Sequence, residues 1–311
     1  MKVYVLDEMH PEGLNWLQER TELVRWDDPK RSVWYEEAVG VMVRTVKVPA
    51  VEMQQARQLK VISKLGVGVN NIDLNLAKSL GLTVCNTPGI NKVAVAEMAL
   101  TLVGSLARRV SQFDRLIRAG SVFNRNEYPG IELNGKTLGI VGMGNIGYEF
   151  ARIMKAAFSC RILAFDPWAD ASKWSGLEHV RVTQLDAMWS NVDVLSLHVP
   201  YNAQNHHMVN ADVLALMKPG ALLINVSRGG LIDEAALYQF LKAGHLGGAA
   251  LDVWQDKEPP SSDHPLLTLP NVIATPHVAG STDETLAKSS LAAAQQLWQV
   301  LQGGEPFHRV V

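Results

Sequence analysis

Three segments in the last third of the chain carry side chains suited to chemistry, and each follows an apolar, strand-like run. They are Val226-Ser-Arg-Gly-Gly, Leu251-Asp-Val-Trp-Gln-Asp-Lys-Glu-Pro and Thr275-Pro-His-Val-Ala-Gly-Ser. A guanidinium grips a carboxylate at two points and polarises a carbonyl beside it. An imidazole gives or takes a proton near neutral pH. A carboxylate next to that ring favours its charged form and fixes its orientation. Arg228, Glu258 and His277 therefore have the types needed to anchor a 2-oxo acid, support an acid/base and protonate an alkoxide as it forms. Such a reaction needs a hydride donor, and the preceding sequence has a place for one.

Leu138 to Val141 is a short apolar run, and Gly142, Gly144 and Gly147 follow it as G-x-G-x-x-G, with Asn145 inside the motif and a helical stretch from Ile146 to Ala157. The first glycine permits the turn, the second lets a pyrophosphate approach the backbone, and the third lets helix and strand pack closely. A second strand, Arg161–Phe165, ends at Asp166. An acid about twenty residues past the glycines is placed for the adenosine ribose hydroxyls. His198 and Pro200 follow the next strand-like run, Asp193–Leu197, at the same end of the sheet. The cofactor expected is NAD.

The rest of the chain must position these groups. Val3–Leu6, Val39–Val43, Val61–Leu65 and Thr83–Cys85 read as strands, with helices such as Pro49–Leu59 and Leu74–Leu80 between them. Alternation of that kind predicts a parallel sheet covered by helices. The turn Gly66-Val67-Gly68-Val69-Asn70-Asn71 is either a plain glycine turn or an anion-binding loop at a strand's carboxyl end. Val95, Met98, Ala99, Leu102, Val103, Leu106 and Val110 share one face of a long helix predicted from Ala94 to about Ala119. Beyond the nucleotide motif, Ala221–Val226, Gly248–Leu251 and Asn271–Ala274 read as further strands. A last helix opens near Thr282, a predicted N-cap, and ends at Gly303-Gly304. The fold class predicted is α/β: two flavodoxin- or Rossmann-like doubly wound parallel-sheet domains joined by two long helices. Residues 1–95 with 285–311 form a discontinuous substrate domain, the tail returning to it, and residues 96–284 form the NAD-binding domain.

Composition excludes several function classes. The chain has 311 residues and a net charge of −2, so no positive field recruits nucleic acid or an anionic membrane. No apolar stretch approaches bilayer-spanning length. The N-terminal residues run straight into a strand without a signal-peptide pattern, and a cytoplasmic protein is expected. Cys85 and Cys160 are two inert thiols on this reading. His179, His206 and His207 lack metal-ligand spacing, and no metal is expected. Arg108-Arg109 reads as a solvated or subunit-facing pair.

The three late segments resemble those of the D-isomer-specific 2-hydroxyacid dehydrogenase family: [S/T]-R-G-G, D-V-x-x-x-E-P and T-P-H-x-[A/G]-G. Asn86-Thr-Pro-Gly, Ala96-Glu97 and Asn134-Gly-Lys-Thr-Leu-Gly are also similar to that family. The resemblance implies that Arg228 orients the substrate, that Glu258 pairs with the histidine, and that His277 is the acid/base. It also implies that the Val67 and Gly68 N–H groups hold the substrate carboxylate, with Arg44 nearby. Asp252 would lie near the nicotinamide carboxamide, with Val226 and Gly280 close by. The partners implied are a small 2-oxo or 2-hydroxy acid and a second copy of the chain, a homodimer around the long helix. Trp254 and Asn205 depart from the family's usual residues. Formate dehydrogenases, which resemble the family, have glutamine where this chain has Glu258. Glyoxylate or hydroxypyruvate reduction and 3-phosphoglycerate oxidation stay open, as does an NAD(H)-sensing corepressor or scaffold with little turnover.

Overall fold

The computed structural model describes the backbone of residues 1–311, and all side chains except those of Ala171 and Lys173. The chain forms two compact units, Met1–Asn91 with Gly280–Val311, and Lys92–Ala279. The two breaks fall a few residues ahead of the predicted 95/96 and 284/285.

In the first unit the strands are β1 (Lys2–Val5), β2 (Glu22–Val24), β3 (Gly40–Val43), β4 (Val61–Lys64) and β5 (Thr83–Asn86). They pair in the order β2-β1-β3-β4-β5, all parallel, which is the flavodoxin-like order. Successive side chains alternate between the two faces. Tyr4, Val41, Val43, Ile62 and Val84 form one buried cluster, and Val3, Val5, Met42, Val61 and Cys85 another. Each fully buried aliphatic side chain contributes about 1.5–3 kcal/mol relative to exposure, which fixes the register of these short runs.

The helix Asp283–Leu301 covers the second face with Ala293, Ala294 and Leu297. Thr282 caps it, accepting from the Thr285 N–H at 3.2 Å. Its small residues permit close packing: a Cβ on Gly13 would collide with Ser290. Buried Gln296 ties the tail down, donating to the Asn86 carbonyl at 2.9 Å and accepting from the His308 N–H at 2.8 Å. The tail then runs antiparallel to β5, with Cys85 opposite Arg309.

The second unit holds β6 (Thr137–Val141), β7 (Arg161–Phe165), β8 (Val180–Arg181), β9 (Val194–Leu197), β10 (Leu222–Asn225), β11 (Gly248–Leu251) and β12 (Val272–Ala274). They form one parallel sheet in the order β12-β11-β10-β9-β6-β7-β8. The order reverses between β6 and β9, the switch point at which doubly wound sheets bind ligands. Leu138, Ile140, Ile162, Ile224 and Ala250 pack with Ala96, Ala99 and Val103 of the helix Lys92–Ala107.

One predicted element is corrected. The helix expected from Ala94 to Ala119 is two helices, Lys92–Ala107 and Val110–Arg118. Arg109 breaks it in a left-handed conformation, φ 55°. The cause is a returning loop: the Ile131 N–H takes the Ala107 carbonyl at 2.8 Å, and a Cβ on Gly130 would press on that same oxygen. The Arg109 guanidinium donates to the Pro129 carbonyl at 3.0 Å and to Gln112 Oε1 at 3.1 Å, so it is held within the unit. Among the described residues no helix is long and apolar enough to cross a membrane, and no group of three or more His, Cys, Asp or Glu side chains could hold a metal ion.

Candidate functional site

The three late segments leave the carboxyl ends of adjacent parallel strands, β10, β11 and β12, so their side chains gather on one rim of the second unit. His277 Nδ1 and Glu258 Oε2 are 2.5 Å apart, both partly exposed. The other carboxylate oxygen of Glu258 accepts the Trp254 N–H at 3.0 Å. Burial alone would push the Glu258 carboxyl up. The hydrogen bonds from His277 and Trp254 and the charges of His277 and Arg228 outweigh it and hold the carboxyl below the usual carboxylate range. Burial draws the Arg228 guanidinium down, and the charge of Glu258 opposes the shift. Arginine nevertheless stays protonated in proteins. Glu258 is thus an anion flanked by an imidazole and a fixed cation.

Each member has its own support. Asn225, buried at the end of β10, folds the turn by donating to the Arg228 carbonyl at 2.9 Å and accepting from the Ser227 N–H at 3.1 Å. Arg228 Nη1 donates to the Ser227 carbonyl at 2.6 Å. His277 has φ 58°, a left-handed conformation uncommon outside glycine and tolerated where surroundings over-determine it. Those surroundings belong to Asp252, which is fully buried. Its carboxylate accepts from the Thr275 hydroxyl at 2.5 Å, the Val278 N–H at 3.0 Å and the Ala279 N–H at 2.8 Å. Its carbonyl accepts the His277 N–H at 2.7 Å. Asp252, which the family resemblance implies lies near the cofactor, builds the loop that carries the histidine. Val226 is buried just past β10, whereas Gly280 falls in the first compact unit.

The glycine turn lies at the carboxyl end of β6. Gly142 has φ 95°, and a Cβ there would strike the His198 carbonyl. A Cβ on Gly147 would fall on the Gly142 carbonyl, which is why the helix Asn145–Phe158 can start this close to the strand. At Gly144 a Cβ would meet nothing within 4 Å. Gly144 is also the N-cap, with no side chain bonded to the first-turn N–H groups of Asn145, Ile146 and Gly147. An open, uncapped helix start of this kind suits a pyrophosphate. Asp166 accepts N–H groups from Met143, Trp168 and Ala169, each at 3.0 Å, and so fixes the turn beside the motif. These residues fit a bound dinucleotide.

His198, at the end of β9, bonds to Ser196 Oγ through Nε2 at 2.9 Å, while Nδ1 is sealed with no partner among the described residues. Although part of the residue reaches the surface, burial of the ring nitrogens pushes the imidazole down to about 3. It is neutral at working pH and shapes the turn rather than trading protons there. Pro200 is exposed, and its carbonyl accepts Asn205 Nδ2 at 2.7 Å. Asn205, where the family more often has threonine, therefore closes its own loop.

In the first unit, Arg44 follows β3, its backbone N–H donating to Asp7 Oδ2 at 2.6 Å and its Nη2 to Ser281 Oγ at 2.9 Å. Val67 and Gly68 follow β4, and their N–H groups have no hydrogen bond within the chain among the described residues. The loop is shaped instead by the Gly66 N–H donating to Thr87 Oγ1 at 2.7 Å and Asn86 donating to the Val67 carbonyl at 2.8 Å.

Sequence reasoning also missed supports outside the late segments. Asp7, a buried acid at the end of β1, also accepts from Thr45 and Val46, and its position just past a strand was the available signal. Arg181 lies far from the nucleotide motif in sequence, yet its Nη2 donates to the carbonyls of Asp166 and Ala169 at 2.9 and 3.0 Å.

The family profile described as "D-isomer specific 2-hydroxyacid dehydrogenase, NAD binding domain" matches residues 100–279. The chain is 37% identical over 97% of its length to a D-3-phosphoglycerate dehydrogenase of Archaeoglobus fulgidus, and it spans only 58% of that relative. It is 35% identical over 96% of its length to a hydroxypyruvate reductase of Thermotoga maritima, of which it covers 98%. A crystal structure of a Thermus thermophilus protein, 35% identical, aligns over 100% of both chains with a TM-score of 0.90. With its two parallel sheets, its glycine turn and its late segments, this chain belongs to the D-isomer-specific 2-hydroxyacid dehydrogenase family.

Proposed function

We propose that this protein is an NAD-dependent oxidoreductase that interconverts a D-2-hydroxy acid and a 2-oxo acid. The observation that supports this reading best is the 2.5 Å contact of His277 with a Glu258 carboxylate that also feels the Arg228 charge. When bound, the nicotinamide supplies or accepts the hydride. Arg228 binds the substrate's carboxylate, orients its carbonyl and stabilises the negative charge that grows on oxygen during reduction. His277, as imidazolium, gives that oxygen its proton, and in oxidation the neutral ring takes the proton back. Glu258 holds Nδ1, which leaves Nε2 to face the reacting oxygen, and its charge supports the imidazolium between turnovers. Arg44 and the Val67 and Gly68 N–H groups are our assignment for further substrate contacts.

Asp166 favours a free ribose hydroxyl and repels a 2′-phosphate, and the Arg181 Nη2 group is already committed to two carbonyls. Glyoxylate, hydroxypyruvate, pyruvate, phenylpyruvate and 3-phosphohydroxypyruvate, each assayed with NADH and with NADPH, test the reading. At least one acid should be reduced, with NADH giving the higher kcat/KM. Tight NADH binding without turnover of any acid would favour the NAD(H)-sensing scaffold, and equal efficiency with both cofactors would remove the role given to Asp166.

A further inference from the structure

Behind the candidate site lies a second carboxylate–histidine pair. Glu234 opens the helix Glu234–Lys242 and is almost fully buried. One of its oxygens accepts the Gln255 N–H at 2.8 Å, and the other lies 3.1 Å from His264 Nε2. His264 Nδ1 is buried with no partner among the described residues. A hydrogen on Nδ1 would be buried without a partner, whereas a bare lone pair there costs less, so Nε2 is the nitrogen that donates to Glu234. Asp256 also faces Glu234, and Asp263 faces His264. Burying a carboxylate is costly, and apolar packing would brace a loop more cheaply. What a carboxylate adds is direction, by pinning one N–H in one place.

The pinned peptide touches the supports of all three candidate catalytic residues. Trp254 donates its backbone N–H to Glu258 at 3.0 Å and its indole N–H to the Thr275 carbonyl at 3.1 Å, two residues before His277. A Cβ on Gly229, the residue after Arg228, would overlap the Trp254 carbonyl and approach the Gln255 nitrogen. The Trp254 ring packs edge-on to His264 at 5.3 Å. We propose that Glu234 and His264 form a positioning pair that, through the Trp254–Gln255 peptide, sets Glu258 against His277. This inference rests on the acid/base reading of His277.

Glu234→Ala, Glu234→Gln and wild type decide it in the full-length protein. The two readouts are NMR titration of the His277 ring without cofactor and the falling limb of reductive kcat/KM with saturating NADH. In Glu234→Ala, both should move to lower pH, the direction expected for Glu258→Gln, with kcat down roughly tenfold and NADH affinity unchanged. Glu234→Gln keeps an acceptor for the Gln255 N–H but turns an amide NH2 toward the His264 N–H, so it should move in the same direction by less than the alanine variant. A folded Glu234→Ala that titrates like wild type overturns the inference, as does a glutamine variant displaced as far as the alanine one. If Glu234→Ala does not fold, His264→Gln carries the test: a shift in the same direction supports the pair, and no shift overturns it. A wild type with no turnover, or a Glu258→Gln profile that does not move, would instead fault the acid/base reading, and the NMR titration still reports on the pair.

Discussion

His277→Ala is expected to lose about 10²–10⁴-fold in kcat in both directions, the usual contribution of a positioned acid/base. The alkoxide formed on reduction then has only water as a proton source, and on oxidation the hydroxyl has no base. NADH binding should be nearly unchanged, because the glycine turn and Asp166 lie at the ends of β6 and β7 while His277 follows β12, at the far side of the sheet. The backbone adds a second effect. His277 adopts φ 58°, and alanine there keeps the strain while losing the ring's bond to Glu258. Steady-state kinetics in both directions, paired with NADH fluorescence titration, checks both halves. A variant within tenfold of wild type would remove His277 from the chemistry.

Arg228→Lys keeps a positive charge and removes the planar fork. Glu258 keeps a cation nearby, so the acid/base pair should survive and the loss should fall on the oxo acid. We expect reductive kcat/KM to drop at least about 30-fold, roughly 2 kcal/mol, the range for losing a charge-assisted hydrogen bond at a desolvated site. Part of the loss should appear in kcat, since the fork is also asked to stabilise the transition state. A lysine variant within about threefold of wild type, a loss below roughly 1 kcal/mol, would show that Arg228 is not the anchor.

Much of this was legible before any coordinates. β7 and β11 have the predicted limits, because a buried parallel strand is a continuous apolar run bounded by turns. Gly142, Gly147 and Thr282 do in the structure what their types and spacing imply. The long helix was misread because Arg109 carries no breaking signal of its own. What stops the helix is a loop more than twenty residues downstream, and periodicity sees only local spacing. Asp252 could be named but not understood, since its partners Thr275, Val278 and Ala279 meet it only when β11 and β12 pair. Glu234 and His264 were invisible for a similar reason. An acid in a helix's first turn ordinarily serves the helix dipole, and only the fold turns this one inward onto Gln255.

The reductive pH profile of Glu258→Gln, taken with saturating NADH, tests the central claim most directly. Glu258 is held below the usual carboxylate range, so it is anionic wherever the enzyme works, and its charge favours the imidazolium of His277. Glutamine removes the charge and leaves a hydrogen-bonding group of the same size. The imidazolium should then lose its proton at lower pH, so the falling limb of kcat/KM should move to lower pH. The oxidative direction should gain its neutral base at lower pH as well, with a lower maximum rate where the ring is less well oriented. A falling limb that stays in place or moves to higher pH would contradict the account, because the carboxylate 2.5 Å from the ring would not be what supports its charged form.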